Sequence, residues 1–390
     1  MRLSQLAFTT GILILTGLAR PAAAVEVSYL FDLSDFNGAV PYGDVNLHAD
    51  RSSDELYAAV GNDVRIFNAS GMETYRFELD ASLGTIFALA VDAEGDILLL
   101  TLDLSDQGRL PDWSITRCNY RGEPIERLHV TGLPPEFDDF VPNAMVYREG
   151  RFVLASQAQL RVAVADRSGR FQRGYDLAEL LDIPDGKRGD NDMRGFSVDR
   201  EGNMLFTIPV LFKAFVVSTE GEVRAFGRPG SIPGSFGIVA DVVADDEGHL
   251  LVADKLRRVV MVFDRDYEFL TEFGAGETGR IWLARPTHLM VGNGGRVYVT
   301  QAGDKGVAVF RLSSGGEVIR WDAGPQPRGG AVKSGAVSSQ PGRSATDEVS
   351  VAGQPMSPPV ARAHGERAGA ADSADPRMIG MPEAQGGNRQ

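Results

Sequence analysis

The chain has 390 residues, 43% of them hydrophobic, with 45 glycines and a single cysteine. That composition supports a substantial core with many tight turns and excludes a disulfide within the chain. A formal net charge of −14 sets up a field that repels nucleic acid and anionic membrane surfaces.

Residues 1–24 read as a secretory signal. Arg2 precedes an apolar run over 6–18, and Pro21-Ala22-Ala23-Ala24 supplies small residues for cleavage before Val25. The run is too short to span a bilayer comfortably. The expectation is an exported protein, periplasmic or extracellular, with no membrane span after cleavage.

Two signals then alternate as far as about residue 324. The first is an apolar strand, a short polar turn containing Gly, and a second apolar strand. It appears as Ala88-Leu89-Ala90-Val91, Asp92-Ala93-Glu94-Gly95-Asp96, Ile97-Leu98-Leu99-Leu100. Further copies surround Gly202, Gly248 and Gly294-Gly295, with looser ones at Gly150 and at Ser52-Ser53-Asp54. The second signal is a hairpin turn such as Asn68-Ala69-Ser70-Gly71, repeated near Gly122, Gly169, Gly221, Asp266 and Gly315. The turns need Gly, Asn or Asp because tight hairpins require positive φ. Their spacing of about 50 residues is that of a propeller blade. Six turn pairs predict six units of four short antiparallel strands, and such units bury both faces only against each other. The expected fold class is therefore all-β, a six-bladed β-propeller over 25–324. Cys118 sits in an alternating strand beside Arg117, where buried packing is expected.

The stretch Phe226-Gly227, Pro233-Gly234, Phe236, Val242-Val243-Ala244-Asp245, Gly248, Leu251-Val252-Ala253-Asp254, Val260-Met261-Val262-Phe263-Asp264 and Phe269 to Gly274 resembles an NHL repeat. Residues 285–310 carry the same pattern and the other four units a looser one. Asp254 keeps the acid that usually ends the second strand, where other units hold Thr101, Ser156, Thr207 and Thr300. The resemblance implies the propeller fold more than any activity.

Ring closure needs an outer strand for the last unit. Val27-Ser28-Tyr29-Leu30-Phe31-Asp32-Leu33 aligns with the outer strand Glu268 to Phe273 and is expected to fill that place, with 317–321 as its rival. From about Pro325 the chain turns to Pro, Gly, Ala and Ser, a composition expected to stay disordered.

The loops are uneven. Those over 103–113, 131–142, 176–192, 227–238 and 274–286 are long and fall on one face of the expected propeller, the pattern of a binding rim. Phe137 and Phe140 lie in an acidic, proline-bearing loop, where the rings either grip a cationic or proline-bearing partner or plug the loop onto blade 3. Asp176 is placed to cap a short amphipathic helix. The apolar crossing Ile208-Pro209-Val210-Leu211-Phe212-Lys213 must leave the sheet at its proline. With Arg194 and Lys255, the residues Phe137, Phe140, Phe212 and Lys213 make the candidate partner-binding face. The expectation is a monomeric, non-catalytic scaffold for a protein or peptide partner, without a cofactor.

The alternative is a metal-dependent hydrolase or lyase. Propellers of the lactonase and amidating-lyase groups hold a metal on the channel axis. Pro286-Thr287-His288 comes close to the Pro-His ligand pattern of the second group, offset by one residue. Asn46, Asn143 and Asp241 fall near the starts of inner strands at comparable positions. With His288 they are the candidate ligands for axial calcium or zinc. His48 could also approach the axis; His129, His249 and His364 could not. No phosphate-cradling Gly-rich loop and no nucleophile elbow occurs.

Overall fold

A computed structural model describes residues 25–41, 45–104, 110–274 and 283–314. The segment read as a signal, the rival closing segment 317–321 and the tail from Pro325 lie outside the described residues.

Six four-stranded antiparallel sheets follow one another as a six-bladed β-propeller. Each meanders outward from an inner strand. The inner strands are Asn46–Asp50, Thr85–Val91, Ala144–Arg148, Arg194–Val198, Val239–Ala244 and Pro286–Val291 for blades 1 to 6. Their middle neighbours are packed on both faces, so they read as unbroken apolar runs. Ile97–Asp103 is buried along all but its last residue, and Val259–Phe263 along its whole length. Outer strands such as Glu73–Glu78 are mostly exposed and correspondingly polar.

Side-chain chemistry fixes the tight turns. The Asp92 carboxylate accepts from the backbone N–H of Glu94 and of Asp96. Asp245 does the same for Glu247 and His249, Asp166 for Ser168 and Arg170, and Asn119 for Arg121 and Glu123. This bonding mimics a backbone turn and tolerates the left-handed residue that follows. Gly95 and Gly248 hold that position at φ 86° and 81°. In blade 5 the non-glycine Tyr267 takes φ 65°, and its ring stacks on Phe226 at 5.0 Å.

The N-terminal strand closes the ring. Val25–Asp32 pairs antiparallel with Val307–Ser314, from Val25 opposite Ser314 to Asp32 opposite Ala308. The N–H of Leu33, itself fully buried, then donates to the Val307 carbonyl at 3.0 Å. Blade 6 is bolted to blade 1 by Arg296, which ion-pairs with Asp54 and donates to the Ala69 carbonyl at 3.0 Å.

Because each blade is a meander, its turns sort by face. The turns between first and second strands, and between third and fourth, lie on one side, here the short-turn face. The connections between blades and those between second and third strands share the other, the long-loop face. Val25 and Ser314 both stand at the short-turn face. Cys118 is fully buried, and burial pushes its thiol up to about 11. It is a packing residue in this core.

Candidate functional site

The six inner strands surround an axial cavity of about 620 Å³. At its long-loop end the sequence expectation of convergence holds in part, since Asn46, Asn143, Asp241 and His288 all line this one cavity. Asn46 begins its strand and Asn143 stands just before Ala144. Asp241 and His288 are delivered by irregular pairing between Val239 and Asp241 and between Pro286 and Leu289. Such bulges re-aim side chains at barrel and propeller rims.

The bonding of these groups is largely internal. Asp241 Oδ1 accepts from the Val242 N–H and Oδ2 from the Leu289 N–H of the next blade, both at 2.8 Å. Gly195 is required beside it, since a Cβ there would lie 2.1 Å from Asp241 Oδ1. His288 Nδ1 stands 3.8 Å from Asp241 Oδ2. Asn143 exchanges two hydrogen bonds of 2.9 Å with Gln157, through its side-chain amide and the Gln157 backbone. Among the described residues no group of three or more His, Cys, Asp or Glu side chains is placed to hold a metal ion. The bonded oxygens of Asp241 and Asn143 each keep a second lone pair, so these hydrogen bonds orient the donors rather than exhaust them.

His48 lies further along the same wall. Burial lowers it to about 4, against a small opposing effect of Asp50, so the imidazole is neutral in ordinary buffers. The short-turn mouth is charged instead. Asp246 Oδ1 pairs with Arg200 at 2.7 Å and with Arg51 at 2.5 Å. His249 stays on that face, bonded at 2.8 Å to Asp245, whose carboxylate raises its pKa.

Where the family pattern places an acid, Asp254 is fully buried and gathers four backbone N–H groups. They come from Gly237, Ile238, Leu256 and Arg257 at 2.6 to 3.1 Å. It therefore holds together the loop into blade 5 and the turn that follows its own strand. Thr207 and Thr300 serve more modestly, on the Arg194 carbonyl and the His288 N–H.

The expected partner-binding set divides. Phe137 and Phe140 are turned inward, packed edge to face at 5.3 Å within the core of blades 2 and 3. This corrects their place in the set: the rings plug the loop onto the sheets, where their burial is worth more than exposure. Arg194 is neutralised by Asp192 at 2.6 Å. Asp176 caps the helix Leu177–Leu180 through the Glu179 N–H as expected, and Leu177 and Ala178 face the core.

Phe212 remains on the surface, 37% exposed. The crossing that bears it forms a single 3-10 turn, Pro209–Leu211, outside the ladder. Lys213 donates its ammonium to the Gly227 carbonyl at 2.7 Å. The Lys255 N–H donates to the Ile238 carbonyl at 2.8 Å. Around them are exposed apolar residues that sequence reasoning passed over, namely Ile232, Ile238 and Leu256. Each is an aliphatic side chain in a loop without strand periodicity, so the sequence carries no signal of the direction in which it points.

No family model matches the chain, and no curated protein matches it. Solved structures do. A Bacteroides thetaiotaomicron protein of unknown function is similar at a TM-score of 0.53 and 10% identity, over 74% of this chain and 76% of that one. A luciferin-regenerating enzyme is similar at a TM-score of 0.50 and 12% identity, over 75% and 96%. Virginiamycin B lyase from Staphylococcus aureus, solved with quinupristin, is similar at 0.48 and 12%, over 74% and 100%. At such identities the likeness extends to the six-bladed architecture.

Proposed function

We propose that this is an exported propeller of the NHL type, acting as a binding scaffold that recognises a protein or peptide on its long-loop face. One observation carries the reading. The exposed large apolar side chains gather on that face: Phe36, Leu110, Val210, Leu211, Ile232 and Leu256 among them. On the opposite side Tyr120 is exposed in a turn, with Tyr75 and Ile125 exposed near the starts of the outer strands beside it. Scattered surface hydrophobics are normal, but their concentration on one rim is the signature of an interaction site.

Photocrosslinking tests it. A crosslinker at Ile232 should capture a discrete partner from the organism's own periplasmic or secreted fraction, and one at Tyr120 should not. Equal capture at both positions would sink the reading.

The second reading, a hydrolase or lyase with an axial metal, rests on Asn46, Asn143, Asp241 and His288 sharing one cavity. Enzymes among the similar propellers, a luciferin-regenerating enzyme included, keep it in view. Stoichiometric calcium or zinc in the purified protein, lost in Asp241→Ala, would support it.

A further inference from the structure

Within the long-loop face, one region joins three exposed apolar segments. The turn of blade 4 brings Val210, Leu211 and Phe212. The loop into blade 5 brings Ile232 and Ile238, and the turn of blade 5 brings Leu256. Hydrogen bonds link the segments that carry them: Lys213 to the Gly227 carbonyl at the head of the loop, Lys255 to the Ile238 carbonyl at its end, and Asp254 to the N–H groups of both Ile238 and Leu256.

A further observation sets this region apart. Phe212 has φ 54°, in the left-handed region that costs an L-residue roughly 1–2 kcal/mol. Leu160 at φ 53° and Arg258 at φ 61° hold the same place before the third strands of blades 3 and 5, so this conformation belongs to the turn. Leu160 is fully buried there, while Phe212 keeps its ring at the surface. What distinguishes the ridge is charge. In a chain of net charge −14 the fringe of this patch is basic. Arg228 and Arg258 are exposed and make no ion pair among the described residues, while the Lys213 ammonium rests on a carbonyl and not on a carboxylate.

We infer that the blade 4–blade 5 ridge is the seat of a short peptide segment whose apolar residues are flanked by carboxylates. This rests on the scaffold reading and narrows it to one region and one partner chemistry. Aliphatic and aromatic side chains of the peptide would cover Leu211, Phe212, Ile232 and Leu256. Its Asp or Glu residues would meet Lys213, Arg228 and Arg258, giving salt-sensitive binding.

The test uses a displayed random-peptide library selected on the intact protein. The expected consensus is two or more apolar residues beside Asp or Glu. The selected peptide should bind at least tenfold more weakly to Leu211→Asp and to Phe212→Gly, and more weakly to wild type as salt rises. Leu110→Asp, on the same face at blade 2, should leave binding unchanged. Circular dichroism melts of each variant separate lost binding from lost folding. A consensus without carboxylates overturns the inference, as does binding indifferent to Leu211→Asp. Loss on Leu110→Asp alone overturns the inference and leaves the long-loop-face reading standing. Failure to enrich any peptide, or binding untouched by every long-loop substitution, overturns both. Capture by phosphatidylcholine–phosphatidylglycerol vesicles through Leu211 and Phe212, with no peptide enriched, would assign the ridge to a membrane surface and overturn the peptide partner.

Discussion

The Lys213 ammonium donates to the Gly227 carbonyl at 2.7 Å, fastening the strained turn of blade 4 to the loop that leads into blade 5. The ladder already sets Ala214 opposite Phe226, and this bond carries the pairing one residue further, to the head of the loop. Lys213→Met should keep the propeller folded, since a single partly exposed hydrogen bond contributes about 1 kcal/mol. It should raise hydrogen exchange in 227–238 above wild type. Unchanged exchange there would mean the tie does no ordering.

Leu160 and Phe212 share a backbone conformation and differ in surroundings, so glycine should affect them differently. Leu160→Gly removes a fully buried side chain and should destabilise by about 3 kcal/mol, with relief of left-handed strain only partly compensating. Phe212→Gly should stay within about 1 kcal/mol of wild type, because the strain relieved offsets the partial burial lost. Urea titration of the two variants decides it. Equal losses would remove the distinction drawn between them.

Asp254 satisfies four backbone N–H groups from a buried position. Asp254→Ala orphans all of them, and a cost of at least roughly 3 kcal/mol is expected. Thermal denaturation should show a drop of several degrees. Asp254→Asn keeps the acceptor oxygen and should recover part of it.

His48 is lowered to about 4 by burial, against its ordinary 6.5. Below 6.5 the unfolded chain therefore binds a proton that the folded chain refuses. Stability is complete above about pH 6.5 and falls as pH drops toward about 4, then levels off with respect to this group. His48→Gln should flatten the stability–pH curve over that interval. An unaltered slope would mean that carboxylates alone set it.

Deleting residues 25–33 should leave the edge of Val307–Ser314 open and remove the buried Leu33. Open edges pair with other chains. The truncated protein should melt lower and sediment as larger species than the full chain.

Local chemistry made the blades legible. The bond from Asp92 to Asp96 or from Asp245 to His249 spans four residues, so the turn repeat is written in short words. The closing strand was legible because Val27 to Leu33 repeats the alternation of an outer strand. What stayed hidden depends on distant partners. Asp241 looks like a free ligand until Leu289, in the next blade, takes one of its oxygens. Phe137 and Phe140 look like contact residues in an acidic loop, and only the position of Trp113 and Phe171 shows that they point inward. Conversely, Ile238 and Leu256 resemble ordinary core aliphatics, because loops carry no period from which direction can be read.

The pairing of Val25 with Ser314 also has a mechanical meaning. Antiparallel strands whose outer ends lie side by side separate as a zipper when those ends are pulled apart. Tension across them would part the ladder rung by rung from Val25 toward Asp32, never loading all its hydrogen bonds together. The seam that completes the ring is therefore its weakest line under load. Blade 6 would part before any other, while the long-loop face of blades 4 and 5 stayed whole.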